Sequence, residues 1–228
     1  VAANAAVEGA DISYGTMSPT VLETNYTQIS TKGIQVTATN EAVTSAGRNN
    51  EMAYQVAKAA KELKRDMETA LLSNVAKTAG NATTARKLGG CPTWYETNVD
   101  AGSGGSGAGN GAIRTDGTQR AFTEDQLKGI LVSCYNEGGN PNMIMVNAFN
   151  KQKLSGFTGG STRFDAAEDR RLITSIDVYE SDFGTMQVAP NRFIRGANGT
   201  AAKIGQDAHI LDMEYWAVSF LRDFSLQT

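Results

Sequence analysis

Histidine is almost absent from this chain: His209 is the only one. A single imidazole cannot build a two-histidine metal site, and the H-E-x-x-H pattern is missing. The G-x-S-x-G nucleophile elbow and the G-x-x-x-x-G-K-[ST] phosphate loop are missing too. Cysteine is nearly as scarce. Cys91 and Cys134 stand far apart, in neither a C-x-x-C nor another zinc spacing. They read as two reduced, partly buried thiols of a cytosolic protein, with a disulfide between them left open. Apolar runs are too short for a transmembrane helix. The opening VAANAAVEGADIS has neither a basic segment nor a continuous apolar one, so no signal peptide is visible. It also lacks an initiator Met, which fits a processed or trimmed chain better than a secreted one. Charge of one sign is not in excess: 21 Lys and Arg face 24 Asp and Glu, a net of −3. Holding nucleic acid by phosphate neutralisation needs clustered basic residues, so that class is excluded.

What is present suits a folded protein: 40% apolar and 20% charged residues in 228, enough for one large domain or two small ones. Residues 1–39 are rich in Thr, Ala and Val, with thin apolar content. YGTMSPT (14–20) reads as a turn. In the following NYTQISTKGIQVTAT, Ile34, Val36 and Ala38 alternate with Gln35, Thr37 and Thr39, predicting a half-exposed β-strand whose hairpin partner precedes it. Such a segment has no core of its own and reads as an arm that packs on something else.

The strongest periodicity follows. Met52, Val56, Ala59, Ala60, Leu63, Met67, Ala70, Leu71 and Val75 recur at helical spacing. They predict a helix over 48–79, on the order of 45 Å long, capped by Asn49 or Asn50 and stopped by Gly80. Lys58 with Glu62, and Lys64 with Glu68, are neighbours across one turn. Further on, Thr123 and Gln126 have capping-box spacing and open a helix carrying Leu127, Ile130, Leu131 and Cys134. MIMVN reads as a short strand, AFNKQKLSGF as another helix. Residues 172–190 read as a β-hairpin around SDFG, with Ile176 and Val178 on one face against Ser175, Asp177 and Tyr179, and Met186 and Val188 against Gln187. HILDMEYWAVSFLRDFSLQT reads as one or two strands.

Two features invite chemistry. Asp165, Glu168 and Asp169 lie together, but Arg163, Arg170 and Arg171 are interleaved with them, so they read as a mutually neutralised surface segment. Gly102, Gly104 and Gly107 satisfy G-x-G-x-x-G inside DAGSGGSGAGNG. A dinucleotide turn needs an apolar strand before it and an amphipathic helix after it. Here polar Glu96, Thr97, Asn98 and Asp100 precede, and more glycine follows. The stretch reads as a mobile exposed loop, and His209, beside an apolar strand, reads as structural. No catalytic, cofactor-binding or metal-binding residue is assigned.

The helix block GRNNEMAYQVAKAAKELKRDMETALLSN, preceded by NYTQISTKGIQVTAT, resembles the spine helix and extended-loop strand of tailed-phage major capsid proteins. GGNPNMIMVNAFNKQKLSGFTG, DVYESDFGTMQVAPNRF and ILDMEYWAVSFLRDF are similar to the same group in the same order. The resemblance implies an α+β fold of the Hong Kong 97 type with a long spine helix, axial and peripheral domains and an extended β-hairpin loop. It assigns 1–40 to what remains of that loop, 41–84 to the peripheral domain with its spine helix, 85–205 to the axial domain with the Gly-rich loop, and 206–228 to strands returning to the peripheral domain. It implies a structural protein and no enzyme, without cofactors or membrane. Copies would assemble as pentamers and hexamers of an icosahedral shell around dsDNA bound without sequence specificity. Portal, decoration or other capsid proteins would be partners, the virion the destination, and the host cytoplasm the place of assembly. The residues expected to carry this are the helix stripe Met52, Val56, Leu63, Met67, Leu71 and Val75, and the loop-strand residues Ile29, Ile34 and Val36. The N-terminal arm usual in the group is not seen, nor is the strand-forming sequence usual past the position of Thr228. An encapsulin-type cellular shell is the alternative on the same fold. A nucleotide-dependent enzyme built on the Gly-rich turn and a secreted β-rich adhesion module are the alternatives outside it.

Overall fold

A computed structural model of the chain describes residues 5–12, 14–43, 47, 50–157, 177–194 and 207–222. The acidic and basic cluster at 163–171 and the first residues of the expected hairpin lie outside them.

The centre is a four-stranded mixed sheet, in the order β2-β3-β1-β4. Its strands are β1 (Met143–Val146), β2 (Val178–Ser181), β3 (Gly184–Pro190) and β4 (Ala208–Leu211). β1 runs parallel to β3 and antiparallel to β4, and β2 is antiparallel to β3. Two helices cover one face, α3 (Glu124–Asn136) and α4 (Ala148–Ser155). Leu127 and Leu131 from α3 and Leu154 from α4 meet Ile144, Val146, Tyr179, Met186 and Val188 from the sheet. The capping box is realised: Thr123 Oγ1 accepts from the Gln126 amide, and the Gln126 side chain accepts from the Thr123 amide. Both strand and helices of 124–155 form where the sequence places them.

The hairpin β2–β3 forms, but with its first strand turned over. Tyr179, not Val178, is buried, at 9% against 58% exposure. The two-residue connection Asp182–Phe183 sets Tyr179 opposite Met186, and that cross-strand pair places the larger aromatic surface in the core.

Ile210 pairs with Ile144 and Ala208 with Val146, so these lie on the helix-covered face. His209 and Leu211 therefore point to the other face, together with Met143 and Met145. Residues 208–211, read as part of a return to a separate unit, are thus hydrogen-bonded into the same sheet as β1.

The long helix is α2, Glu51–Leu72, about 33 Å long. Asn50 caps it, its side chain accepting from the Ala53 amide at 2.7 Å. It ends at Leu72, eight positions before the expected stop at Gly80, because tertiary bonds take the chain over. Ser73 Oγ donates to the Thr69 carbonyl, and the Asn74 amide is engaged elsewhere on both its ends. The carbonyl of Ser73 also lies against Gly90, where a Cβ would come within 1.8 Å of it. Glu62 is drawn from its expected partner Lys58 to Lys32 of the arm, at 2.8 Å.

Before α2 lies a short helix, α1 (Ala38–Ala42). From Tyr14 to Thr37 the chain has no turn, bend, strand or helix. The expected turn at 14–20 and strand at 34–39 are therefore absent from the single chain. No described residue forms a strand ladder with this backbone, and Ala38 already belongs to α1.

Candidate functional site

With a lone buried histidine and no group of three or more His, Cys, Asp or Glu placed to hold a metal among the described residues, the informative regions are surfaces. The first is α2. Only Ala59 and Leu72 are buried on it. Val56, Leu63, Met67 and Leu71 are half-buried, Met52 is exposed, and Val75 lies beyond the helix end with 38% exposure. An amphipathic helix gains most of its stability from covering its apolar face. One copy of the chain leaves much of this stripe in contact with water.

The second surface is the arm. Tyr14, Met17, Val21 and Leu22 are each more than four-fifths exposed. Ile29 is 80% exposed, whereas Ile34 and Val36 are half-buried. Ile34 and Val36 line a groove of about 590 Å³ between the arm and α2, with Gln55, Lys58, Ala59 and Glu62 on the helix side.

The root of the arm is held firmly. Asn25 Nδ2 donates to the Gly89 carbonyl and its Oδ1 accepts from the Gly89 amide. Gln28 Oε1 accepts from the Leu88 amide. Lys77 Nζ donates to the Thr24 carbonyl at 2.8 Å, pairs with Glu23 at 3.2 Å, and sits 5.2 Å from the centroid of Trp94. These contacts tie the arm to the 3-10 turn Cys91–Trp94 and the chain just after α2.

The Gly-rich stretch belongs to the same knot, which corrects its reading as a mobile loop. Ser106 and Thr115 exchange both backbone hydrogen bonds. The Ala108 amide donates to the Tyr95 carbonyl, the Gly111 amide to that of Thr93, and the Lys77 amide to that of Gly111. Gly107 and Gly117 are needed for close approach: an added Cβ would come within 2.5 Å of the Tyr95 carbonyl oxygen at one, and 2.0 Å of that of Ala101 at the other. Neither a strand before the glycines nor a helix after them is present, so the G-x-G-x-x-G spacing builds no phosphate cradle.

A buried polar chain then joins this layer to the sheet. Asn74 Nδ2 donates to the Arg114 carbonyl at 2.8 Å, and the Arg114 amide donates to Asn74 Oδ1 at 2.9 Å. The Arg114 guanidinium pairs with Asp116 and Asp207. Burial pushes the Asp207 carboxyl above its ordinary range despite Arg114. Burial works against the Arg114 charge as well, but the two carboxylates together raise its pKa. His209 Nδ1 lies 3.2 Å from the Tyr95 hydroxyl, which is 2.9 Å from Cys91 Sγ. Burial, and then the Arg114 charge, lower the His209 pKa to about 4. Burial pushes the Cys91 thiol up to about 11 and the Tyr95 phenol well above its usual value. A neutral thiol beside a neutral, enclosed imidazole is not an activated nucleophile. Both cysteines are free and half-buried.

Asn25, Asn74, Lys77, Arg114 and Asp207 were missed in the sequence, where an isolated Asn or Lys carries no periodic signal. Asn74 directly after LLS is the one hint, a polar residue where a helix is free to end.

Comparison with known proteins adds the following. A family model described as SU10 major capsid protein matches residues 1–228. A major capsid protein of Escherichia phage Phieco32 is 45% identical over 75 residues, 33% of this chain and 21% of that protein. The matched segment is thus about a fifth of that relative's length.

Proposed function

The chain belongs to the SU10 major capsid protein family, and on that premise we propose that it is the shell-forming subunit of a tailed-phage head. Copies assemble as pentamers and hexamers into an icosahedral container for dsDNA, with subunits of the Hong Kong 97 type. In this reading α2 is the spine helix of a peripheral domain spanning 41–84. The α/β layer of 85–205, with strand β4 of its sheet, is axial, residues 1–40 are the extended loop, and the rest of 206–228 runs back toward the periphery. The protein acts as structure and not as an enzyme, and it resides in the virion.

The observation that carries this reading is the pair of uncovered surfaces. A 22-residue helix with two buried residues and an arm exposing Tyr14, Met17, Val21, Leu22 and Ile29 need further chains to bury them. Arm-to-neighbour contacts are heterologous, and heterologous contacts close into rings when the rotation permits. The net charge of −3 suits a wall that does not grip the DNA it encloses. Among the described residues no helix is long and apolar enough to cross a membrane.

Electron microscopy of the full-length protein expressed in bacteria tests the proposal. Closed shells or five- and six-fold capsomers are expected. A protein that stays monomeric at high concentration, in all buffers and with its phage partners present, overturns it.

A further inference from the structure

Residues 28–36 have the side-chain pattern of a β-strand and none of its hydrogen bonds. Gln28, Ser30, Ile34 and Val36 are half-buried, while Ile29, Thr31, Gly33 and Gln35 are exposed, the period of two that a strand produces, broken only at Lys32, which is exposed although it falls on the half-buried side. Yet no backbone N–H or C=O from Thr27 to Val36 is hydrogen-bonded to another described residue. A row of unpaired backbone groups on straight chain is a template for another strand. Protein edges are commonly guarded by an outward lysine. The lysine here, Lys32, is instead drawn to Glu62 at 2.8 Å.

We propose that residues 28–36 are completed as a β-strand by residues 14–22 of a second copy, which lie beside them along α2. This rests on the shell reading above and names its contact.

The chain's own arm is a poor candidate for the partner. Folding 14–22 back onto 28–36 would need a turn, and none occurs from Tyr14 to Thr37. The same segment from another copy meets the requirements. Its Tyr14, Met17, Val21 and Leu22 are uncovered, and it carries no charge, so no like charges are opposed. As a strand it spans about 30 Å, close to the length of α2. Pro19 lacks an amide hydrogen and must face away from the ladder, which an added outermost strand permits.

Hydrogen exchange on full-length protein, compared between unassembled subunits and purified particles, reads the backbone directly. Amides within 28–36 are expected to exchange freely in subunits, and alternate ones to be protected in particles. Particles co-assembled from chains carrying Gln35→Cys and chains carrying single cysteines across 14–22 identify the partner. At least one pairing is expected to give an intermolecular disulfide on oxidation. Normal particles whose 28–36 amides exchange as in free subunits overturn this inference and leave the shell reading intact. So do particles in which no cysteine of 14–22 reaches Gln35→Cys. Failure of the wild-type chain to form any particle overturns both.

Discussion

Asn25 grips the backbone of Gly89 with both ends of its side-chain amide, donating to the carbonyl at 3.2 Å and accepting from the amide at 2.8 Å. This reciprocal pair, with Lys77 on Thr24, fixes where the arm leaves the body. Asn25→Ala removes both bonds. Half-exposed hydrogen bonds are each worth about 1 kcal/mol, so a stability loss of roughly 1–2 kcal/mol is expected. The more telling readout is proteolysis: cleavage within 14–28 of the unassembled protein should accelerate while the core fragment persists. Unchanged arm cleavage shows that the grip does not set the arm's position.

The apolar stripe of α2 gives a second prediction. Leu63 is half-buried in one copy, so Leu63→Asp leaves a chain that still folds its α/β layer. Burying an unpaired carboxylate at a subunit contact costs several kcal/mol. Loss of particles with soluble subunits retaining their helical signal is expected by electron microscopy and circular dichroism. Normal particle yield places Leu63 outside any contact between copies.

Helix α3, strand β1 and helix α4 were legible because local signals agreed. The capping box Thr123–Gln126, the apolar run at 143–146 and helical spacing all point to one arrangement. The end of α2 was not, because Asn74, Arg114 and Gly90 stop it through contacts distant in sequence. Val178 misled because periodicity alone ranks a valine above a tyrosine, while the hairpin register decides which faces inward. The strand at 34–39 misled differently: the alternation is real, but a strand exists only with a partner. The surfaces of the candidate site were legible in outline, from the helical stripe and from an arm without a core. The knot at the arm's root was not, because it consists of single polar residues meeting backbone.

Gly107 and Gly117 offer a prediction about the stretch that mimics a nucleotide turn. Both sit where a Cβ would collide with backbone oxygens of Tyr95 and Ala101. Gly104 has φ +78 but nothing within 4 Å. Gly107→Ala and Gly117→Ala should each destabilise by about 2–4 kcal/mol, whereas Gly104→Ala should lose only about 1–2 kcal/mol from the left-handed backbone. Urea unfolding of the three variants measures the order. Equal losses at all three refute the packing account.

His209 supplies a pH dependence whose sign follows from its burial. In the folded chain its pKa falls from 6.5 to about 4, because burial strips the ring of water, with no partner at Nε2 among the described residues, and Arg114 carries positive charge nearby. The Tyr95 hydroxyl stands 3.2 Å from Nδ1, and Arg114 is itself paired with Asp207. Between those two values the unfolded chain binds the proton and the folded chain does not. Stability contributed by neutral His209 is therefore present above pH 6.5 and is lost as pH falls toward 4, by roughly 3 kcal/mol in all. Asp207 acts in the opposite sense, since its raised pKa lets the folded state take up a proton first, and it offsets part of the loss at the acid end. Comparing wild type with His209→Gln separates the two, because the variant keeps Asp207. Urea unfolding from pH 7 to 4 should show a steep decline for wild type and a shallower one for His209→Gln, whatever the variant's stability at pH 7. Parallel declines would mean that protonation of His209 is not what the folded state resists.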